Sequence, residues 1–140
     1  MKKGLFLLTS FVLVLIPNLT MSQCMDEKLK TTCSSLLDSF IFVKSFKVNS
    51  GSTEYSYVFS KGTMYMITVC DEAEEKGNKM VVELYDRAHK LVASSFDKKT
   101  GKHFAKIGYP CSATGVYYMK YSFKGGKTGC GVSVLGFKRK

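Results

Sequence analysis

Arginine, histidine, proline and tryptophan are scarce in this sequence, and each scarcity narrows what the chain can be. There is no tryptophan, and only two prolines stand in 140 residues. Without tryptophan the strongest platform for stacking a sugar ring is missing. Pro17 and Pro110 leave no proline-rich linker and no internal repeat is visible, so one domain fits the length. Of 21 basic residues, only Arg87 and Arg139 are arginines. Arginine grips phosphate through two parallel hydrogen bonds, whereas lysine is a hydrated point charge that also keeps proteins soluble. The formal net charge of +10 therefore reads as a soluble basic surface, and no nucleic acid is expected as a partner. The two histidines, His89 and His103, fall in or beside predicted turns. No Gly-x-Ser-x-Gly elbow accompanies them, and no catalytic residue can be named.

Long apolar runs are also lacking, with one exception at the start. Lys2 and Lys3 precede an apolar stretch from Leu5 to Ile16, which Pro17 and Asn18 break. Thr20 and Ser22 then place small residues where a signal peptidase reads. The apolar stretch is too short to span a bilayer, which takes about 20 residues. Residues 1–22 are thus expected to be a signal peptide, with the mature chain starting at Gln23 and carrying no transmembrane span. Lipidation at Cys24 is the lesser alternative, because Gln23 and Met21 stand where such signals carry a small residue and a leucine. The expected location is secreted or periplasmic.

Five cysteines follow: Cys24, Cys33, Cys70, Cys111 and Cys130. No Cys-x-x-Cys pair occurs, which argues against zinc and against a thioredoxin-like site. In an oxidising compartment such cysteines pair, and an odd number leaves one over.

From Asp26 to Lys44 the pattern is helical. Leu29, Cys33, Leu36, Leu37, Phe40 and Ile41 recur at three- and four-residue steps, with Asp26 and Glu27 in the first turn. Residues 23–44 are expected to be an amphipathic N-terminal helix, although Ile41-Phe42-Val43 would also suit the start of a strand. From Ser45 onward the texture is that of strands. Tyr55–Ser60, Met64–Cys70, Met80–Tyr85, Leu91–Phe96, His103–Tyr109, Gly115–Phe123 and Cys130–Phe137 are the expected strands. In Met64–Cys70 both faces are largely apolar, as befits a central strand covered on both sides. Seven or eight short antiparallel strands over residues 45–140 predict a mainly β fold, a β-sandwich.

If Met64–Cys70 and Cys130–Phe137 are antiparallel neighbours, Cys70 and Cys130 meet at one edge and form a disulfide. Cys33 would then pair with Cys111 and leave Cys24 free.

Three segments carry a family resemblance. Phe59-Ser60-Lys61-Gly62-Thr63-Met64-Tyr65 is a strand, a turn and a strand. Val82-Glu83-Leu84-Tyr85-Asp86 with Lys90-Leu91-Val92 is a hairpin, and Ala113-Thr114-Gly115-Val116-Tyr117-Tyr118-Met119 enters a strand. In that order they resemble the jelly-roll modules called bacterial pre-peptidase C-terminal domains and the GOLD domains of cargo receptors. The resemblance covers about Tyr55 to Phe137. It implies a jelly-roll sandwich without catalysis that binds a protein, peptide or glycan surface. Such modules usually accompany a catalytic domain, and none is present here.

What remains for function is surface. Lys98, Lys99, Lys102 and Lys106, with His103, form a candidate basic binding patch beside Phe104. Asp71, Glu72, Glu74 and Glu75 form an acidic loop. Adjacent glutamates diverge when extended, so the loop reads as solvated, and a calcium site would need Asp86 or Asp97 to approach. Gly126-Lys127-Thr128 lacks the upstream glycine of a phosphate loop and precedes a strand, so it reads as a hairpin turn. No cofactor or metal is expected. The function expected is that of a non-enzymatic binding or accessory module for a protein partner in the envelope or a secreted assembly. A glycan-binding module is the alternative, and an enzyme with an unrecognised site comes last.

Overall fold

A computed structural model describes residues 26–49, 51–72, 79–125 and 129–139. The expectations for the signal peptide, for cleavage before Gln23 and for lipidation at Cys24 lie outside them. So do Glu74 and Glu75 of the acidic loop and the Gly126-Lys127-Thr128 turn.

One helix, α1 (Asp26–Ser35), precedes ten strands. They are β1 (Ile41–Val48), β2 (Ser52–Phe59), β3 (Thr63–Asp71), β4 (Met80–Tyr85), β5 (Leu91–Ser94), β6 (Phe96–Asp97), β7 (Lys102–His103), β8 (Lys106–Pro110), β9 (Gly115–Phe123) and β10 (Gly131–Arg139). All ladders are antiparallel. Sheet A runs β1-β10-β3-β8, sheet B runs β2-β9-β4-β5, and β6-β7 is a small separate hairpin.

Without that hairpin, eight strands remain, and their pairing has a simple logic. The first pairs with the last (β1 with β10), then β2 with β9, β3 with β8 and β4 with β5. This is one long hairpin folded in two. Rolling it up adds the β3–β10 and β4–β9 ladders and closes two sheets over one core. The result is a jelly roll, the architecture expected for the chain.

Strand alternation fills the core. Phe46, Tyr65, Ile67, Val69 and Leu135 from sheet A meet Phe59, Val82, Leu84, Tyr117, Met119, Tyr121 and Phe123 from sheet B. Phe59 stacks between Tyr65 and Tyr117, at ring distances of 3.9 and 4.8 Å. The Tyr121 hydroxyl, fully buried, shares a 2.7 Å hydrogen bond with Ser133 Oγ. Burial holds this phenol far above its ordinary titration range.

The other face of sheet A is also covered. Cys33 and Leu37 pack on Val132 and Val134, with Leu29, Phe40, Met66 and Cys70 around them. This explains the two-sided apolar pattern of β3: one side faces the sandwich and the other lies under α1. Thr68 on that second side places its hydroxyl 3.1 Å from the Cys33 carbonyl oxygen and 3.3 Å from that of Val134. At Gly136 a Cβ would lie 2.8 Å from a Leu37 methyl and 3.1 Å from the Ile41 carbonyl oxygen. Only glycine lets the chain after α1 come so close to the sheet.

The helix is shorter than the periodicity predicts. It ends at Ser35, and tight turns follow, with Leu36 N–H donating to Cys33 O, Leu37 N–H to Ser34 O and Phe40 N–H to Leu37 O. Ser34, Ser35 and Ser39 are poor helix formers, and Asp38 adopts a positive φ of 52° that no helix accepts. Ile41, expected on the buried helical face, begins β1 and is 59% exposed.

The predicted disulfides are also corrected. Cys33 bonds Cys70, with Cα atoms 5.7 Å apart, and not Cys111. Cys111 is a free thiol buried in the sandwich. The premise behind a Cys70–Cys130 bridge was correct, since β3 and β10 are neighbours and Cys70 lies opposite Val132. Its conclusion fails on register: the Glu72 N–H donates to Cys130 O, so Cys130 lies past Cys70 along the ladder, while Cys70 packs among the residues under α1, where Cys33 waits. Cys130 is disulfide-bonded as well, but its partner is none of Cys33, Cys70 or Cys111.

Candidate binding site

The β6–β7 hairpin is built by its own polar residues. The Asp97 carboxylate accepts the Lys99 N–H at 2.9 Å, and the Asp97 carbonyl accepts the Gly101 N–H at 2.8 Å. Gly101 sits at φ 70°, which glycine adopts without strain. Buried Ser95 fixes the hairpin to sheet B. Its N–H donates to Val82 O, its Oγ accepts the Val82 N–H, and its carbonyl accepts the Phe104 N–H. On the other side Ala105 O accepts the Val69 N–H of sheet A.

This anchoring puts Phe96 opposite His103, with their rings 4.7 Å apart. The two residues line a concavity of about 290 Å³ together with Gly101, Lys79 and Lys124. The lysines come from the start of β4 and the end of β9, held together by a hydrogen bond from Lys124 N–H to Lys79 O. The Lys124 ammonium lies 3.2 Å from the centre of the Phe96 ring, a cation–π contact. His103 Nδ1 is buried without a hydrogen-bond partner. Burial first, then the charges of Lys79 and Lys124, lower the His103 pKa below its ordinary value, and Asp71 opposes them more weakly. Among the described residues the lining offers cations and rings, with no serine, cysteine or carboxylate in it.

The predicted basic patch divides when folded. Lys98 and Lys99 are exposed in the hairpin turn. Lys102 reaches over Phe104, 5.2 Å from the ring centre. His103 turns into the concavity. Lys106 leaves the group for sheet A, where it forms a 2.9 Å ion pair with Asp38. Lys79 and Lys124 were absent from the sequence-derived patch. They lie far from the hairpin in sequence, and only the roll of the chain brings them to it.

Glu74 and Glu75 of the acidic loop lie outside the described residues, and the two aspartates that a calcium site there would need serve their own turns. Asp86 accepts the N–H groups of Ala88 and Lys90, and Asp97 that of Lys99. Among the described residues no cluster of three or more potential metal ligands occurs. The second histidine, His89, stacks on Tyr118 at 4.4 Å and sits in a turn at φ 58°. None of the eight tyrosines is fully exposed, so they form no flat platform for a sugar. No helix among the described residues is long and apolar enough to cross a membrane.

No protein-family model and no curated protein matches the sequence. The fold, in contrast, has relatives among solved structures. One is PliG of Aeromonas hydrophila, described as a periplasmic lysozyme inhibitor of g-type lysozyme. The likeness has a TM-score of 0.52 at 7% identity and covers 70% of this chain and 88% of PliG. It is a likeness of fold: a small β-rich architecture shared with a sequence otherwise unrelated.

Proposed function

We propose that this protein is an exported, non-catalytic module that binds a protein partner through the β6–β7 end of its sandwich. The carrying observation is the makeup of that end. A cation-lined concavity with no serine or cysteine among the described residues stands beside a hairpin turn with exposed Lys98 and Lys99. Such a surface suits an acidic patch on another protein. Within the concavity, Lys124 occupies the face of Phe96 on which a sugar would stack. Two further facts support the reading. The Cys33–Cys70 disulfide fits an oxidising compartment. The fold is also that of PliG, a periplasmic protein whose described role is to inhibit an enzyme.

The test is affinity capture from native envelope and culture-fluid fractions with the mature chain as bait. G-type lysozyme serves as a purified candidate in parallel. A specific protein should be retained in fixed stoichiometry, lost with K98E/K99E/K102E and kept with K106A. Capture that is unaffected by the triple reversal overturns the assignment of the surface. Hydrolytic activity of the purified chain that H103A abolishes overturns the non-catalytic reading.

A further inference from the structure

The concavity between the hairpin and the strand ends is more specific than a basic surface. We propose that it is a receptor for a single carboxylate, an aspartate or glutamate side chain that the protein partner inserts between Lys79 and Lys124. This deepens the function proposed above and rests on it.

Three observations carry the proposal. The first is charge. Two lysines and a histidine line one concavity, and among the described residues no carboxylate does. Like charges brought together this way are unfavourable until a counter-charge arrives. Asp71 is the carboxylate felt at His103, and its Oδ2 is already engaged by the Met80 N–H at 2.8 Å. The second is size. A volume of about 290 Å³ falls at the small end of ligand pockets, which run from roughly 300 to 1,000 Å³. It has room for one inserted carboxylate side chain. The third is the support. Both lysines stand on strand ends joined by a backbone hydrogen bond, and His103 and Phe96 stand on a hairpin pinned to both sheets. The backbones that carry the cations are therefore fixed before a partner arrives, which lowers the ordering penalty of binding. Lysine rather than arginine also suits a single anionic group better than a two-pronged phosphate grip.

The experiment follows the His103 imidazole signals of the full mature protein by NMR during titration. The first probe is glutamate with acetylated amine and amidated α-carboxyl, so that the side-chain carboxylate is its one charge. The second is the matching capped glutamine, and the third is inorganic phosphate. The proposal expects saturable His103 shifts with capped glutamate and none with capped glutamine. It also expects a His103 titration midpoint that rises in the bound state, because a nearby carboxylate favours imidazolium. K79Q/K124Q keeps the aliphatic stems and should weaken the glutamate probe about tenfold, with each lysine contributing about a factor of three. The rest of the spectrum shows that this variant is folded.

Equal response to both capped probes, no response at all, or an unchanged affinity in K79Q/K124Q overturns the proposal. So does phosphate binding about tenfold tighter than capped glutamate, which would make this a phosphate site. The two readings fail separately. A partner still captured by K79Q/K124Q removes the carboxylate receptor and leaves partner binding intact. Saturable glutamate binding without any captured partner does the reverse.

Discussion

The two sheets of the sandwich have the same number of strands and opposite fates on their outer faces. The outer side of sheet A presents Met66, Thr68 and Cys70 from β3 and Val132 and Val134 from β10. That surface needs a cover, and α1 with the turn after it supplies one through Leu29, Cys33 and Leu37, clamped by the Cys33–Cys70 disulfide. Among the described residues no helix covers the outer side of sheet B. Glu54, Lys120 and Glu83 stand in one row across β2, β9 and β4, and Val58 and Val116 are its apolar corner. Tyr85 titrates above its ordinary value, through burial first and Glu83 next. An antiparallel sheet can face water on one side, and the alternation decides which side. Where both faces of a strand are apolar, the chain must spend another element on the second.

The sharpest way to break this contrast is to unlock the cover. Replacing both partners of the clamp, C33A/C70A, should destabilise the fold by about 3 to 4 kcal/mol, the range for a loop of this length. Urea denaturation measures the loss, and limited proteolysis should cut within α1 before either sheet. If α1 stayed protected at full stability, apolar contact alone would hold the cover. The same chemistry predicts the thiol count. With Cys33, Cys70 and Cys111 assigned and Cys130 bonded, sequence counting leaves Cys24 as the expected partner of Cys130. Alkylation of the unfolded, unreduced mature protein should then label one cysteine, Cys111. A lipidated Cys24 would have no thiol to offer Cys130 and would refute that pairing.

A gentler intrusion tests how tightly the cover fits. G136A places a methyl group against Leu37 and against the Ile41 carbonyl oxygen at 3.1 Å. The leucine can turn away, but a backbone carbonyl in a strand cannot. Overpacking of this kind costs about 1 to 3 kcal/mol. The double variant G136A/L37A should recover part of that loss relative to the sum of the single changes, and additive losses would show that the two residues are not coupled.

These contrasts also mark what could be read from the chain. Gly115–Phe123 alternates cleanly, with one side in the core and the other facing out, and its bounds are found as expected. The both-sides-apolar run Met64–Cys70 announced a covered central strand, and β3 is one. The disulfide was not readable. Strand adjacency told which backbones meet, but not the register that sets Cys130 past Cys70, and Cys33 reaches Cys70 from a helix whose docking no local pattern encodes. The binding site was half readable. His103 and the hairpin lysines are contiguous in sequence, while Lys79 and Lys124 reach the hairpin only through long-range β pairing. Lys106 was grouped by proximity along the chain, yet Asp38, distant in sequence, takes it.

On the open face the expected effects are small. K120A removes the cation between Glu54 and Glu83 and leaves two carboxylates facing an uncharged strand. Exposed cross-strand pairs contribute about 0.2 to 1 kcal/mol each, so the total loss should stay near 1 kcal/mol and shrink as salt rises. A loss as large as that of C33A/C70A would mean that this face is an integrated part of the core, and the contrast between the sheets would fall.

The smallest effect belongs to neither face, but to the end of the sandwich, and its sign is fixed by the charges around His103. Burial and the neighbouring Lys79 and Lys124 lower the folded-state pKa of this imidazole, with Asp71 as a weaker opposing influence. In the unfolded chain it returns to about 6.5. Between those two values the unfolded chain binds a proton that the folded chain refuses, so acid favours unfolding there. The contribution is fully present above pH 6.5, falls as the pH drops through that value, and levels off below the folded-state pKa. Urea midpoints measured from about pH 8 to pH 5 should therefore fall more steeply for the wild type than for H103Q, since the carboxylates titrate equally in both. Adding capped glutamate should bring the wild-type curve toward that of H103Q, because a bound carboxylate restores the proton affinity of the ring. Parallel curves for the two proteins would show that neither burial nor the lysines lower the folded-state pKa of His103, and the case for a preformed cationic receptor would lose its electrostatic support.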